Sequence, residues 1–213
     1  MTPRDRHLVI FARAPRLGTV KRRLARDIGA LGAWRFHRNS TAALLRRLAG
    51  DPRWRCWLAV TPDRAALAGR GLWPRHWRGV RRLAAQGPGD LGARMGRIFH
   101  SLPPGPVVIV GSDIPGIRAS HVAEAFHKLG SHDWVIGPAD DGGYWLIGAR
   151  RRPVLRLPFT GVAWGGDQVL ARTLVNLAGQ DVALLEELID VDTGADLKRW
   201  KNTRATIGGL RQG

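Results

Sequence analysis

Two short acidic segments carry the residue types from which chemistry can be built. Gly111-Ser112-Asp113-Ile114-Pro115 follows the apolar run Pro106 to Val110, and Gly137-Pro138-Ala139-Asp140-Asp141-Gly142-Gly143-Tyr144 follows Trp134 to Ile136. Carboxylates therefore fall where buried strands stop, and in open α/β sheets that edge is where ligands bind. The chain is strongly basic, with 34 Lys and Arg against 17 Asp and Glu. Acidic groups at such an edge then point to a divalent cation, Mg²⁺ or Mn²⁺, holding a phosphate-bearing ligand through hard oxygen donors. Asp113 is the candidate metal ligand; its competing use is a cap or turn before Pro115. Asp140 and Asp141 repel each other and contribute little to packing. Gly142 and Gly143 beside them allow close backbone approach to a substrate, which favours a catalytic use over a plain turn.

A second constellation lies near the start of the chain, in Arg13-Ala14-Pro15-Arg16-Leu17-Gly18-Thr19-Val20-Lys21-Arg22-Arg23-Leu24. A strand, a tight turn with cations and a helix start form an anion cradle, because free N–H groups and the helix dipole both favour negative charge there. The spacing is neither that of a P-loop nor that of the Gly-rich dinucleotide fingerprint. A basic surface turn is the equal alternative. Asp192, in Asp190-Val191-Asp192-Thr193, is a further metal or substrate contact or else a helix cap. Asp90 and Arg94 have the spacing of a cap with an i,i+4 ion pair. Trp164 offers an aromatic wall to an acceptor pocket, or packs in the core. The seven histidines show no ligand spacing.

The elements that must position these groups alternate along the chain. Strands are read at His7 to Ala12, Arg55 to Val60, Val80 to Ala84, Val107 to Val110, around Val135, and Tyr144 to Ala149. Apolar residues at helical spacing predict helices over Gly18 to Ile28, Ala33 to Leu48, Arg64 to Ala68, Asp90 to Phe99, Ala119 to Leu129 (capped by Ser120) and Asp167 to Leu177. A last short helix follows Asp192, Val182 to Leu188 reads either way, and the final residues read as frayed. This alternation predicts a mainly parallel sheet covered on both faces.

At 213 residues, with no linker or repeat, the chain reads as one domain over 1–213 with a core of about 7–200. One cysteine, Cys56, excludes an internal disulfide and fits a reducing compartment. No apolar run is long enough to span a bilayer or serve as a secretory segment, so a cytoplasmic location is expected. The formal net charge of +17 raises nucleic-acid binding. The cations are dispersed and nearly all Arg, however, and no helix-turn-helix, RRM or zinc-finger pattern accompanies them. A solvated basic surface that concentrates anionic small substrates is the reading preferred.

Taken in order, the Ala14–Leu24 block, Gln86-Gly87-Pro88-Gly89-Asp90-Leu91-Gly92-Ala93-Arg94-Met95, the Gly111 and Gly137 blocks, Trp164-Gly165 and Asp190-Val191-Asp192-Thr193 resemble the DUF2064 family. The resemblance runs from about His7 to Leu197. That family sits in the glycosyltransferase-A (nucleotide-diphospho-sugar transferase) superfamily, and some members are named arsenosugar-biosynthesis-type glycosyltransferases. It implies a Rossmann-like GT-A three-layer sandwich with a mainly parallel mixed sheet. It implies metal and nucleotide at Asp113, and a diphosphate held by Arg13, Gly18, Lys21 and Arg23. Gln86, Gly89 and Asp90 would lie near base or ribose. Asp140, Asp141 and Asp192 would face donor sugar, metal or acceptor, with Gly142, Gly143 and Trp164 on the acceptor side. The chain departs from the family pattern at Arg22, usually Thr, and at Gly165-Gly166-Asp167, where Ser/Gly-Thr usually follows the Trp. The resulting expectation is metal-dependent glycosyl transfer from a nucleoside-diphosphate sugar to a small acceptor. The alternative is nucleotidyl transfer to a phosphorylated small molecule with release of pyrophosphate.

Overall fold

The computed structural model describes residues 5–67 and 80–209. Its strands are β1 (His7–Arg13), β2 (Arg55–Thr61), β3 (Val80–Ala85), β4 (Val107–Gly111), β5 (Trp134–Pro138), β6 (Tyr144–Ala149) and β7 (Val182–Leu184). The helices are α1 (Arg22–Leu48), α2 (Arg64–Leu67), α3 (Leu91–Ser101), α4 (Ala119–Lys128), α5 (Val169–Asn176) and α6 (Gly194–Gly209). Ala68 and the last four residues, which the sequence reading included, lie outside the described residues.

One seven-stranded sheet has the order β3-β2-β1-β4-β6-β5-β7. Only β6 runs against its neighbours, pairing antiparallel with β4 and β5; the other pairs are parallel. The α/β class and the mixed, mainly parallel sheet are as the sequence predicts. The central strands are apolar throughout because helices cover both faces. On one face Leu44, Leu45 and Leu48 of α1 and Val122 and Phe126 of α4 close over Leu8, Ile10, Val108 and Val110. On the other, Met95, Ile98 and Phe99 of α3 and Leu177 meet Val9, Ile109, Trp134 and Ile147.

Several local readings are refined. The two helices expected on either side of residues 29–32 run without an intervening loop, and the break is confined to Gly29 (φ 76°, ψ 157°). The start of α4 is not capped by Ser120: Arg118 is the cap residue, and its backbone N–H donates to His121 Nδ1 at 3.3 Å. Asp90 does cap α3, accepting from the Ala93 N–H at 2.8 Å, but Arg94 Nε donates to the Asp90 carbonyl rather than pairing with its carboxylate. The ambiguous segment supplies the edge strand β7.

Because every parallel strand points the same way, Arg13, Thr61, Ala85, Gly111 and Pro138 all end at one edge of the sheet, where β6 begins at Tyr144. Between β6 and α5 the chain forms a strap whose Leu157, Phe159 and Trp164 lie against α3. A Cβ on Gly92 would stand 2.7 Å from Phe159 and 2.8 Å from Trp164, so that close approach needs the bare backbone. The strap's end is fastened by Gly142, whose carbonyl accepts the Leu170 N–H at 2.9 Å. Gly142 has φ +84°, and a Cβ there would lie 2.0 Å from the Asp167 carbonyl oxygen. Gly142→Ala is therefore expected to destabilise the protein by about 1–3 kcal/mol, through backbone strain and a clash with main chain. Gly111→Ala, with nothing within 4 Å of the added carbon, should change stability by no more than about 0.5 kcal/mol. Chemical denaturation of the two variants checks the contrast.

Candidate active site

The β1–α1 connection delivers Lys21 to the carboxyl edge. Lys21 stands at the head of α1 in the left-handed region (φ 46°, ψ 53°), unusual for a residue with a side chain and a mark of strain held for a purpose. Its side chain is only 5% exposed. The ammonium lies 3.2 Å from Asp190 Oδ1, 3.4 Å from Asp192 Oδ1 and 3.5 Å from Asp113 Oδ2. Arg23 Nη1 adds a contact of 3.1 Å to Asp192 Oδ2. A buried cation requires such partners, since desolvation alone would cost more than the fold could offset.

Electrostatics divides the three carboxylates. Burial pushes Asp113 up, but the Lys21 ammonium and His37 outweigh it and hold its carboxyl at about 2. Burial dominates at Asp190 and pushes its carboxyl up to about 6, with Lys21 opposing and the Asp113 charge adding to the rise. Desolvation lowers Lys21, yet Asp113, Asp190 and Asp192 together raise it above its ordinary value. His37, buried in α1, has Nε2 2.9 Å from the Arg13 carbonyl and Nδ1 3.2 Å from Asp113 Oδ1. Asp113 is thus gripped from two sides while its side chain stays 44% exposed.

The tail that carries Asp190 and Asp192 is fixed by Asp140. Asp140 Oδ1 accepts the Asp190 N–H at 2.9 Å, and Oδ2 accepts from Arg199 Nη2 at 2.7 Å. Asp141 Oδ1 accepts the Gly143 N–H at 2.9 Å and closes its own turn. The capping chemistry expected of this segment is supplied by Thr193, whose Oγ1 accepts the Asp196 N–H at 3.2 Å, while the Asp196 carboxylate accepts the backbone N–H groups of Asp192 and Thr193 in return.

Of the residues singled out in the sequence, Lys21, Arg23, Asp113 and Asp192 come together in one cluster. Arg13 and Gly18 flank it on the β1–α1 loop, and Arg13 Nη1 braces that loop on the Thr19 carbonyl at 3.4 Å. Gln86, Gly89 and Asp90 lie on the β3–α3 loop, beyond the β2–α2 loop along the same edge. There Gln86 is buried, its amide donating to the Ala59 carbonyl and its Oε1 accepting from Arg94. Trp164 lies against Tyr144 and Phe159 in the second core, with its indole N–H buried and without a partner. Two cluster members carry no signal of their own in the sequence. Asp190 lies in the Asp190–Thr193 block, and its burial is invisible there. His37 stands 76 positions from Asp113, and no spacing rule joins them.

The donor set suits a hard cation. Mg²⁺ is ordinarily held by one or two carboxylates together with substrate phosphates, and Asp113 offers an exposed carboxylate with Asp190 and Asp192 close behind. Among the described residues, no group of three or more His, Cys, Asp or Glu side chains is arranged to hold a metal ion, so any ion would depend on substrate oxygens for the rest of its shell.

The sequence profile of DUF2064, described as an uncharacterized protein conserved in bacteria, matches residues 44–166. The chain belongs to this family. A crystal structure from Desulfovibrio desulfuricans G20, described as a candidate nucleotide-diphospho-sugar transferase, is 32% identical over 92% of this chain and 85% of its own, with a TM-score of 0.79. More distant likenesses show the fold alone. Glucosyl-3-phosphoglycerate synthase from Mycobacterium tuberculosis, solved with Mn²⁺, UDP and glucosyl-3-phosphoglycerate, is 13% identical over 88% of this chain and 71% of its own, with a TM-score of 0.55. The 4-diphosphocytidyl-2C-methyl-D-erythritol synthase of Anaerococcus prevotii DSM 20548 is 11% identical over 91% and 95%, with a TM-score of 0.53. No curated protein matches the sequence. This DUF2064 member thus has the fold of nucleotide-sugar transferases, as its motif order implied. The family match spans Asp113 and the Asp140 turn but stops short of both Lys21 and Asp190.

Asp190 gives the cluster a pH signature. Its raised pKa means that ionisation is harder in the folded chain than in the unfolded one. Its contribution to stability is therefore greatest below about pH 4 and is lost as the pH rises through about 6. Asp113 has the opposite sign, contributing above about pH 4 and losing that contribution as the pH falls toward 2. Asp190→Asn is expected to raise stability at pH 8 by about 1–3 kcal/mol while leaving it nearly unchanged at pH 4. Thermal melts across that range measure the difference.

Proposed function

We propose that the protein is a transferase acting on a nucleotide-activated substrate, and that its reaction is metal-dependent glycosyl transfer from a nucleoside-diphosphate sugar to a small acceptor. The observation that carries the reading is the buried Lys21 ammonium among Asp113, Asp190 and Asp192, at the sheet edge and beside a basic loop. The family and the nucleotide-diphospho-sugar transferase fold support it. Asp113 would hold the divalent ion, with Asp192 as further donor. When bound, the ion supplies neutralisation of charge on the departing diphosphate. Lys21, Arg23 and Arg13 orient the diphosphate oxygens and stabilise the charge that grows there. His37 keeps Asp113 in position. Gln86, Gly89 and Asp90 form the wall for base and ribose. Asp190, whose carboxyl is held near 6, is the group best suited to accept the proton of an acceptor hydroxyl.

A second reading, nucleotidyl transfer to a phosphate acceptor, is favoured by one observation. Asp140 is committed to Arg199 and the Asp190 N–H, and Asp141 to the Gly143 N–H, so neither is a free base on the acceptor side. A phosphate nucleophile needs no such base. The two reactions leave different products, a nucleoside diphosphate or pyrophosphate.

Thermal melts with UDP-, GDP-, ADP-, CDP- and dTDP-sugars and with the triphosphates, each with and without Mn²⁺, test the proposal. One nucleotide sugar should raise the melting temperature in a Mn²⁺-dependent way, and Asp113→Ala should abolish that rise while the unliganded protein stays folded. A shift confined to a nucleoside triphosphate moves the assignment to nucleotidyl transfer, and unchanged binding by Asp113→Ala removes that residue from the site. Once turnover is found, Lys21→Ala should lower kcat about 10²–10³-fold, as loss of a charge aimed at the leaving group does.

A further inference from the structure

A groove of about 1100 Å³ is walled by α1, the turn after β4, the 186–189 segment and α6. None of Lys21, Arg23, Asp113, Asp190 and Asp192 lines it, so it is separate from the carboxylate cluster. Phe36, Ser40, Ala43 and Arg47 share one face of α1 by their helical spacing, and all four line the groove. At one end the Phe36 and Trp200 rings meet edge to face at 6.4 Å and join α1 to α6. About three turns along α1, roughly 16 Å away, Arg47 Nη1 and Nη2 each donate to the Pro115 carbonyl at 3.1 Å. Arg46 stands beside it, exposed, and among the described residues its side chain has neither a hydrogen bond nor an ion pair. Arg46, Arg47 and Arg118 face Glu186 and Glu187 in the groove, and Glu186 is taken up by Arg118 at 3.4 Å and His121 at 3.3 Å. The groove is therefore aromatic at one end and offers an unneutralised cation at the other.

We propose that this groove binds an amphiphilic organic anion, a small molecule with an apolar ring or chain that ends in a negatively charged group. The apolar body lies against Phe36, Trp200 and Leu188, and the charged end meets Arg46. An apolar lining with a few polar groups is the make-up of small-molecule sites, and the groove has the volume of one. Its charge selects the ligand's sign, because arginines outnumber glutamates and one glutamate is already paired. A polyanion such as a nucleic acid would use Arg46 and leave the aromatic end empty. The groove also adjoins the cluster along the chain. Phe36 precedes His37, Ile189 precedes Asp190, and Pro115 lies two residues after Asp113. A ligand there touches the segments that carry the cluster without competing with a diphosphate for their side chains. The inference does not depend on which transfer reaction the site performs.

Fluorescence titration of the full chain with anilinonaphthalene sulfonate, an aromatic anion that fluoresces in apolar surroundings, tests it. The wild-type chain should bind the dye saturably at one site. Octanoate should displace it, and octanol, the same chain without the charge, should need about tenfold more. Arg46→Gln should weaken dye binding about tenfold, the loss of one charge-assisted contact. Ala43→Trp, which places a ring in the groove from α1, should abolish it. Circular dichroism and the melting temperature of Arg46→Gln should match wild type, because Arg46 is exposed. Leu17→Ser, which removes a side chain 60% exposed outside the groove, should leave dye binding unchanged. Absence of saturable binding to the folded wild-type chain overturns the proposal, as does an Arg46→Gln variant that binds as tightly as wild type. Loss of binding by Leu17→Ser would assign the dye to the outer surface instead. Abolition of binding by a nucleotide sugar with Mn²⁺ would assign it to the transferase cleft, and either result overturns the groove as its site.

Discussion

A lysine ammonium cannot be buried without carboxylates around it, and the carboxylates that surround Lys21 come from opposite ends of the chain. Asp113 arrives at the end of β4, while Asp190 and Asp192 lie some 170 residues from Lys21, after the last strand. Much of the architecture serves that meeting. Sheet order sets β1 beside β4, which brings Lys21 and Asp113 to one edge. The tail then has to cross from the far side of the sheet, and its path is pinned to the end of β5. Leu188 and Pro138 share a backbone hydrogen bond, and Asp140 holds both the Asp190 N–H and Arg199. The site's electrostatics and the chain's topology are one constraint seen at two scales.

That constraint explains a helix start that is poor by itself. No acidic residue lies in the first turn of α1, where acidic groups are favoured, and Lys21, Arg22 and Arg23 stand there instead. Each cation opposes the helix dipole, and Lys21 adds a left-handed backbone. Such an arrangement makes sense when a second anion joins the one cluster of carboxylates already present. On the proposed function, a diphosphate at this loop would meet the helix dipole and the arginines together. The chain trades local helix stability for a site whose charges are organised before substrate arrives.

Much of this was legible in the sequence, for physical reasons that also set the limit. Strand-helix alternation and apolar strand cores reflect burial on both faces, which any parallel sheet must have, so the fold class followed. Carboxylates at strand ends follow from the same logic, and Asp113 was found that way. Asp140 carried the same signature but has a different task. Its partners Arg199 and the Asp190 N–H are supplied by the tail, and nothing in a Gly-Asp-rich turn announces them. His37 escaped because a buried histidine on a helix is unremarkable until Asp113 is folded onto it. Trp164 was read both ways, and the Gly92 notch in α3 that receives it is a feature of two distant segments, not of either alone. The break at Gly29 was visible as two helical patterns, while the absence of any loop between them was not.

The division of labour among the carboxylates also narrows what the acceptor side can be. Five aspartates converge near the edge, yet Asp140 and Asp141 are spent on backbone geometry and Asp192 is paired with both Lys21 and Arg23. Asp113 is held at about 2 and stays ionised across the physiological range, which fits it to bind a cation and unfits it to move a proton. Burial pushes the Asp190 carboxyl up to about 6. Its distance of 3.2 Å from the Lys21 ammonium ties its ionisation to that cation. An acceptor that brings its own negative charge would do without Asp190 as base and would instead compete for Lys21 and the arginines. An acceptor hydroxyl has no other carboxylate in the cluster to turn to. On the proposed function, the transferred group would thus be governed at Lys21 and Asp113, and the acceptor at Asp190.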